Sequence, residues 1–282
     1  MSLLSLAKQF TTEFGADSAK DQYFLIDENV LENLIRAANI TSADRVLEVG
    51  AGLGFLTKML AARANSVLAI EIDPKFSPFL NQLSPNVEVI FGDAYQLLNS
   101  RKFQRTHKSP TKTVASIPYS QAQNMLHNYT NWQWFQGDVV WLAPLSFAEK
   151  VNSEPILGAY FNAEIVEKVP KSAFYPQPNT ESAIIYFHRI EDPALTKNFP
   201  LYWRRWLYNH EDMKVANALR EGIIHSFIDI YGKAITKKQA RNIVKHLDLP
   251  APELEKLVNN ISPKYYFELP EKILKIYRAS AD

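Results

Sequence analysis

The 282-residue chain reads as an alternating α/β body followed by a small helical domain. Three observations carry this. The apolar run Val46, Leu47 and Val49, short enough for a buried strand, ends in glycines at alternate positions, Gly50, Gly52 and Gly54. A helical pattern then opens at Phe55. Further short apolar runs alternate with helical segments, and two of them end in acidic residues. Past Pro193 the period becomes helical, with Val215, Leu219, Ile223 and Phe227 recurring every fourth residue.

Taken in order, Gln22–Asp27 leads into a helix whose N-cap is Asp27 and whose apolar face is Val30, Leu31, Leu34, Ile35 and Ala38. The glycine turn follows, then a helix from Leu56 to about Ala64. Val67–Asp73 is a second strand ending in Glu71 and Asp73, Pro74 opens a short helix, and Val87–Phe91 is a third strand ending at Gly92-Asp93-Ala94. The basic segment Arg101–Lys112 links a helix to the next strand. It reads as a solvated loop on the side away from the strands' C-terminal ends. Thr113–Tyr119 is a strand running into Ser116-Ile117-Pro118-Tyr119, and Val139–Leu142 is another. Ala163–Ile190 reads as two strands around the turn Phe174–Pro178, an antiparallel hairpin closing the sheet edge. The domains are drawn at 1–192 and 193–282.

The chain has no cysteine, which removes disulfides, thiolate metal sites and cysteine nucleophiles together. Its six histidines are scattered without metal-ligand spacing, so no metal is expected. No apolar run reaches the length of a membrane span, and Lys8 interrupts a briefly apolar N-terminus, which argues against a signal peptide. A cytoplasmic protein is the expectation. Net charge is +1, but unevenly placed: from Leu195 onward there are 15 Lys and Arg against 10 Asp and Glu. A basic C-terminal lobe is compatible with nucleic acid and equally with a solvated helical surface.

The glycine turn lets backbone approach a ligand closely at a helix N-terminus. Its spacing departs from the dinucleotide fingerprint. Glu48, two residues before the first glycine, puts a carboxylate at the turn, which suits an amino group better than a pyrophosphate. A nucleotide-like ligand with a cationic end is the first reading. Glu71, some twenty residues past the glycines, stands where an acid can accept from ribose hydroxyls.

The ordered set Gln22–Asp27, Glu48–Gly54, Glu71-Ile72-Asp73, Gly92-Asp93-Ala94, Ser116–Tyr119 and Phe174–Pro178 leading to Glu181-Ser182-Ala183 resembles the ribosomal-RNA adenine-N6 dimethyltransferases. That family spans small-subunit dimethyltransferases and large-subunit macrolide-resistance methylases. The resemblance covers roughly residues 20–190, and the tail loosely. It implies a Rossmann-like, seven-stranded class I fold that uses S-adenosylmethionine and no metal. The implied cofactor residues are Tyr23, Leu25, Glu48, Gly50, Gly52, Glu71, Ile72, Asp93, Ala94 and Ser116. Leu25 and the backbone around Gly50 would line the methionine end, Glu71 bind the ribose hydroxyls, Ile72 lie beside the adenine, and Asp93 accept from its amine. Ser116, Ile117, Pro118 and Tyr119 would form the catalytic loop, with the residue-116 side chain and the Ile117 carbonyl holding the N6 hydrogens. Tyr119 and Phe174 would stack on a flipped-out base; the plain alternative for both is core packing. The implied partner is ribosomal RNA or a pre-ribosomal subunit; a monomer is the default reading where no apolar surface stripe is left over.

Three departures mark this chain. Ser116 and Tyr23 each stand where the family usually has Asn, and Ala143–Ala148 replaces the segment expected of the small-subunit branch. Ser116 and Tyr23 motivate a rival reading as a non-catalytic RNA- or DNA-binding relative. Ser116 also suits an acceptor other than adenine, such as a cytosine N4 amine or another RNA. In the tail, Trp203 and Trp206 read as packing residues, while Arg204, Arg205, Lys237, Lys238, Arg241 and Lys245 read as modest RNA contacts.

Overall fold

The computed structural model describes residues 2–15, 21–131, 134–135 and 137–281. Its strands are β1 (Phe24–Leu25), β2 (Arg45–Val49), β3 (Ser66–Glu71), β4 (Val87–Phe91), β5 (Lys112–Ser116), β6 (Asp138–Pro144), β7 (Phe161–Val169), β8 (Phe174–Tyr175) and β9 (Ser182–Arg189). Seven of them form one sheet in the order β4-β3-β2-β5-β6-β9-β7, while β1 and β8 pair separately and antiparallel. Neighbours from β4 across to β6 run parallel, and β9 runs antiparallel to β6.

The strand order reverses between β2 and β5. In an open parallel sheet the crevice outside the strands' C-terminal ends at that point is where ligands bind. The segments leaving β2 and β5 there are the glycine turn and the Ser116–Tyr119 loop.

Local sequence explains the supporting elements. Asp27 caps the helix Glu28–Ala38 by accepting from the backbone N–H groups of Asn29 and Val30. All five residues of the expected apolar stripe are buried. Under β6, Trp141 packs edge-to-face against Tyr129 and Phe187, with ring centroids 5.3 Å apart in both pairs. The basic segment is more ordered than a loop. Arg101–Thr106 is helical, its buried Phe103 stacks on His107 at 4.0 Å, and Ser100 caps it. Thr106, His107 and Lys108 line a shallow groove with Arg45, Ser66 and Val87, at the strand ends opposite the glycine turn.

Two compact units emerge: residues 1–151 with 163–188, and residues 152–162 with 189–282. Residues 152–162 thus group with the C-terminal helices rather than with the 1–192 span in which the sequence reading put them. The second unit has its own core of Trp203, Leu207, Val215, Leu219, Ile223, Phe227 and their neighbours. Gly222 is required there, since a Cβ would lie 2.6 Å from Trp206 Nε1 and 2.7 Å from the Trp203 ring.

That unit corrects the reading of Arg204 and Arg205 as RNA contacts. Arg204 donates to the carbonyls of Pro155 (2.6 Å) and Glu154 (2.8 Å). Arg205 donates to those of Ala159 (2.9 Å) and Ile190 (2.8 Å). Both guanidiniums fasten 152–162 and its return to the helix that carries them. Trp203 is fully buried, and Trp206 donates to Ala218 O, so the packing role of the tryptophans holds. Lys237, Lys238, Arg241 and Lys245 are exposed on the helix Lys237–His246.

Candidate active site

The glycine turn bends as its composition requires. Gly50, Gly52 and Gly54 have φ of 78°, 51° and 74°, conformations that side-chain-bearing residues rarely adopt. The turn is tied to the neighbouring strand. Gly50 N donates to Ile70 O, and Gly52 N donates to Glu71 Oε2, both at 2.8 Å. Glu71 Oε1 accepts from Asp73 N at 2.9 Å. One carboxylate thus sets both the turn after β2 and the turn after β3. Burial raises the Glu71 pKa and the Asp73 charge adds to the rise, while the backbone donors oppose it. Asp73 caps the next turn and accepts from Gln22 Nε2 at 3.1 Å.

Glu48 is different. It is 1% exposed, and its Oε2 has no hydrogen-bond partner among the described residues. Burial pushes its pKa up to about 8; the Thr57 hydroxyl opposes the rise and the charge of Glu71 adds to it.

The short β1–β8 ladder brings distant segments together, with Leu25 opposite Phe174 and Ile26 N bonded to Ala173 O at 2.8 Å. Phe174 is 2% exposed. From β5, Ile117 N donates to Leu142 O at 3.0 Å and turns the chain into the loop. Tyr119 shares a hydrogen bond with Ser182, and its ring lies 5.7 Å from that of Tyr23.

One cavity gathers these groups. Its lining includes Tyr23, Leu25, Glu48, Gly50, Gly52, Glu71 and Ile72, together with Ser116, Ile117, Pro118, Tyr119 and Phe174. Ile72 is 63% exposed, an apolar side chain left open. Asp93 and Ala94 are outside the lining. Asp93 instead caps the helix Ala94–Asn99 by accepting from Tyr95 N, and Ala94 is buried. The sequence reading missed Asp21, Phe24, Leu53 and Phe76 in the lining. Asp21 and Phe76 carried no motif, and only the fold brings them in. Among the described residues no group of three His, Cys, Asp or Glu is arranged to hold a metal.

The sheet order, the glycine turn at its switch point and the carboxylates at the ends of β2 and β3 define a class I methyltransferase fold. The residues present fit S-adenosylmethionine: a buried carboxyl with one oxygen lacking a donor could take an ammonium, and an open apolar side chain could lie against a base. A family model for ribosomal RNA adenine dimethylase matches residues 16–221, and the chain belongs to that family. It is 30% identical over 274 residues to the probable ribosomal RNA small subunit methyltransferase A of Thermococcus onnurineus, covering 93% of each chain. It is 32% identical over 201 residues to ribosomal RNA small subunit methyltransferase A of Alkaliphilus oremlandii, covering 65% of this chain and 69% of the relative. Among solved structures, a dimethyladenosine transferase from Plasmodium falciparum shares the fold, with a TM-score of 0.56 at 21% identity, covering 90% of this chain and 97% of the other. The 23S rRNA methyltransferase ErmE does so with a TM-score of 0.53 at 23% identity, covering 89% and 99%.

Proposed function

We propose that this chain methylates the N6 amine of adenine in ribosomal RNA of the small subunit, with S-adenosylmethionine as donor. The observation that carries the reading is the buried Glu48 carboxyl, whose Oε2 has no partner among the described residues, in the same cavity as the Ser116–Tyr119 loop. Two curated relatives named for the small subunit outweigh the departure at Ala143–Ala148 as a guide to the branch. The relatives lend no support to the non-catalytic binder or to another acceptor base.

In this reading the cofactor, when bound, supplies an electrophilic methyl group. Glu48 holds its amino group, Glu71 accepts from its ribose hydroxyls, and Ile72 covers its adenine face. Asp93, outside the cavity lining, accepts from the adenine amine. The adenine N6 is a weak nucleophile because its lone pair is delocalised into the ring. The Ser116 hydroxyl oxygen and the Ile117 carbonyl accept the two N6 hydrogens and turn the lone pair toward the methyl group. Tyr119 and Phe174 stack on the extruded base. Catalysis is then mainly proximity and orientation. The exposed cations of Lys237–His246 meet RNA phosphates, and the protein acts on ribosomal particles in the cytoplasm as a monomer. Among the described residues no helix is long and apolar enough to cross a membrane.

The test is methyl transfer from labelled S-adenosylmethionine to small subunits lacking adenine methylation, with mass spectrometry of the nucleosides. Label in N6-methylated adenosine is expected. A folded protein that fails to bind S-adenosylmethionine in calorimetry, or label in a different nucleoside, overturns the reading.

A further inference from the structure

Tyr119 is the ring on which the extruded base would stack, yet it sits on a loop, and loops position groups less accurately than strands do. Its hydroxyl does not point to open solvent. It shares a hydrogen bond with the hydroxyl of Ser182. Ser182 is fully buried and is the first residue of β9, paired with Pro144 at the end of β6. Next to that pair, Leu145 N donates to Glu181 O at 3.0 Å, so the backbone on either side of Ser182 is held by the sheet.

Two further contacts restrain the same loop. The Tyr23 ring lies 5.7 Å from the Tyr119 ring at an interplanar angle of 33°, within the range of an aromatic pair. Asp21, whose φ is 52°, accepts the Ser120 backbone N–H at 2.7 Å. Tyr119 is therefore fixed at its hydroxyl by the central sheet, while the chain just before β1 meets its ring and the next backbone amide.

We propose that Ser182 is a positioning residue for methyl transfer: it fixes the Tyr119 ring in its stacking orientation before the base arrives. The serine touches neither base nor methyl donor and acts through the tyrosine alone. Its hydroxyl converts a mobile loop ring into one set by the sheet, which removes an ordering cost that base extrusion would otherwise carry. This rests on the adenine-N6 reading given above.

The expected behaviour is that of a single shared bond. S182A and Y119F each slow single-turnover methyl transfer to unmethylated small subunits by about three- to tenfold, the size of one hydrogen bond. Each leaves S-adenosylmethionine affinity unchanged, and the double variant is no slower than either single one, because both remove the same bond. In hydrogen exchange, residues 117–121 exchange faster in both variants while the strands do not. Full activity in S182A, or losses that multiply in the double variant, overturns the proposal. If S182A fails to fold, Y119F decides alone, and unchanged rate and exchange in Y119F overturn it. A wild-type protein that methylates no adenine removes the adenine-N6 reading instead, and exchange at 117–121 still reports whether Ser182 holds the loop.

Discussion

Arg204 and Glu48 are both ionisable side chains taken out of water, at 8% and 1% exposure, and the chain treats them in opposite ways. Arg204 is answered within its own unit by two carbonyls that would otherwise need donors of their own. Glu48 Oε2 is answered by nothing among the described residues, beside a cavity. A buried charge is expensive unless paired. A pairing completed inside the chain marks a structural role. A pairing left open at a cavity marks a place where the partner comes from outside.

The comparison is broken most directly at Arg204. Arg204→Ala leaves the Pro155 and Glu154 carbonyls without their donor and removes packing of the side-chain stem. A loss of about 2–4 kcal/mol in urea unfolding is expected. S-adenosylmethionine affinity stays the same. A fully stable R204A protein with weakened RNA binding would reverse the assignment.

Glu48→Gln is the opposite case. Replacing a charged partner of the ammonium with a neutral amide weakens S-adenosylmethionine binding by about 10- to 100-fold, as for hydrogen bonds to charged groups. Stability moves the other way, and the sign follows from the carboxyl's raised pKa. Below pH 4.5 Glu48 is protonated in both folded and unfolded chains and costs nothing. Between 4.5 and about 8 the unfolded chain loses the proton that the folded chain retains, so stability falls as pH rises through that window. E48Q abolishes this term. It should melt higher than wild type at pH 8 and equally at pH 4, in a differential scanning experiment. The same pKa makes cofactor binding near neutral pH release a proton, which calorimetry in buffers of different ionisation enthalpy detects. An E48Q protein that is less stable at pH 8 would show that Glu48 has a partner within the fold.

The fold and the site were unequally legible in the sequence. The succession of strands and helices followed from alternation and from glycine and acid positions, because a parallel sheet writes its turns in the sequence beside each strand; the order of the strands across the sheet came only with the structure. Glu48 and Glu71 could be picked out by their places relative to the glycines. That Glu71 bridges two turns through Gly52 N and Asp73 N could not, since it depends on β2 and β3 being neighbours. The β1–β8 pair, two residues on each side, is too short for any periodicity to show, yet it sets Leu25 opposite Phe174. Trp203-Arg204-Arg205-Trp206 misled in part. Basic and aromatic residues interleave in RNA clamps and in helix anchors alike, and only the carbonyls of 154–159 and 190 tell them apart. The grouping of 152–162 with the helical unit was hidden for the same reason: its bonds run to residues about 50 positions away.

The smallest effect on the fold is expected where cations are neither buried nor bonded to carbonyls. Lys237, Lys238 and Arg241 stand exposed in the first turns of a helix already fixed by a Thr236–Gln239 capping box. Their reversal to Glu should leave thermal stability within about 0.5 kcal/mol, as for surface sites generally. Binding to small-subunit RNA should weaken across all sequences alike. The slope of log affinity against log salt should become shallower by about 0.7 for each single-strand phosphate that is no longer neutralised. This separates the two kinds of arginine in the helical unit: Arg204 holds the chain to itself, and Arg241 is free to hold something else. An unchanged salt slope with unchanged affinity would mean that the exposed stripe only solvates the helix, and that the RNA is gripped by the α/β body alone.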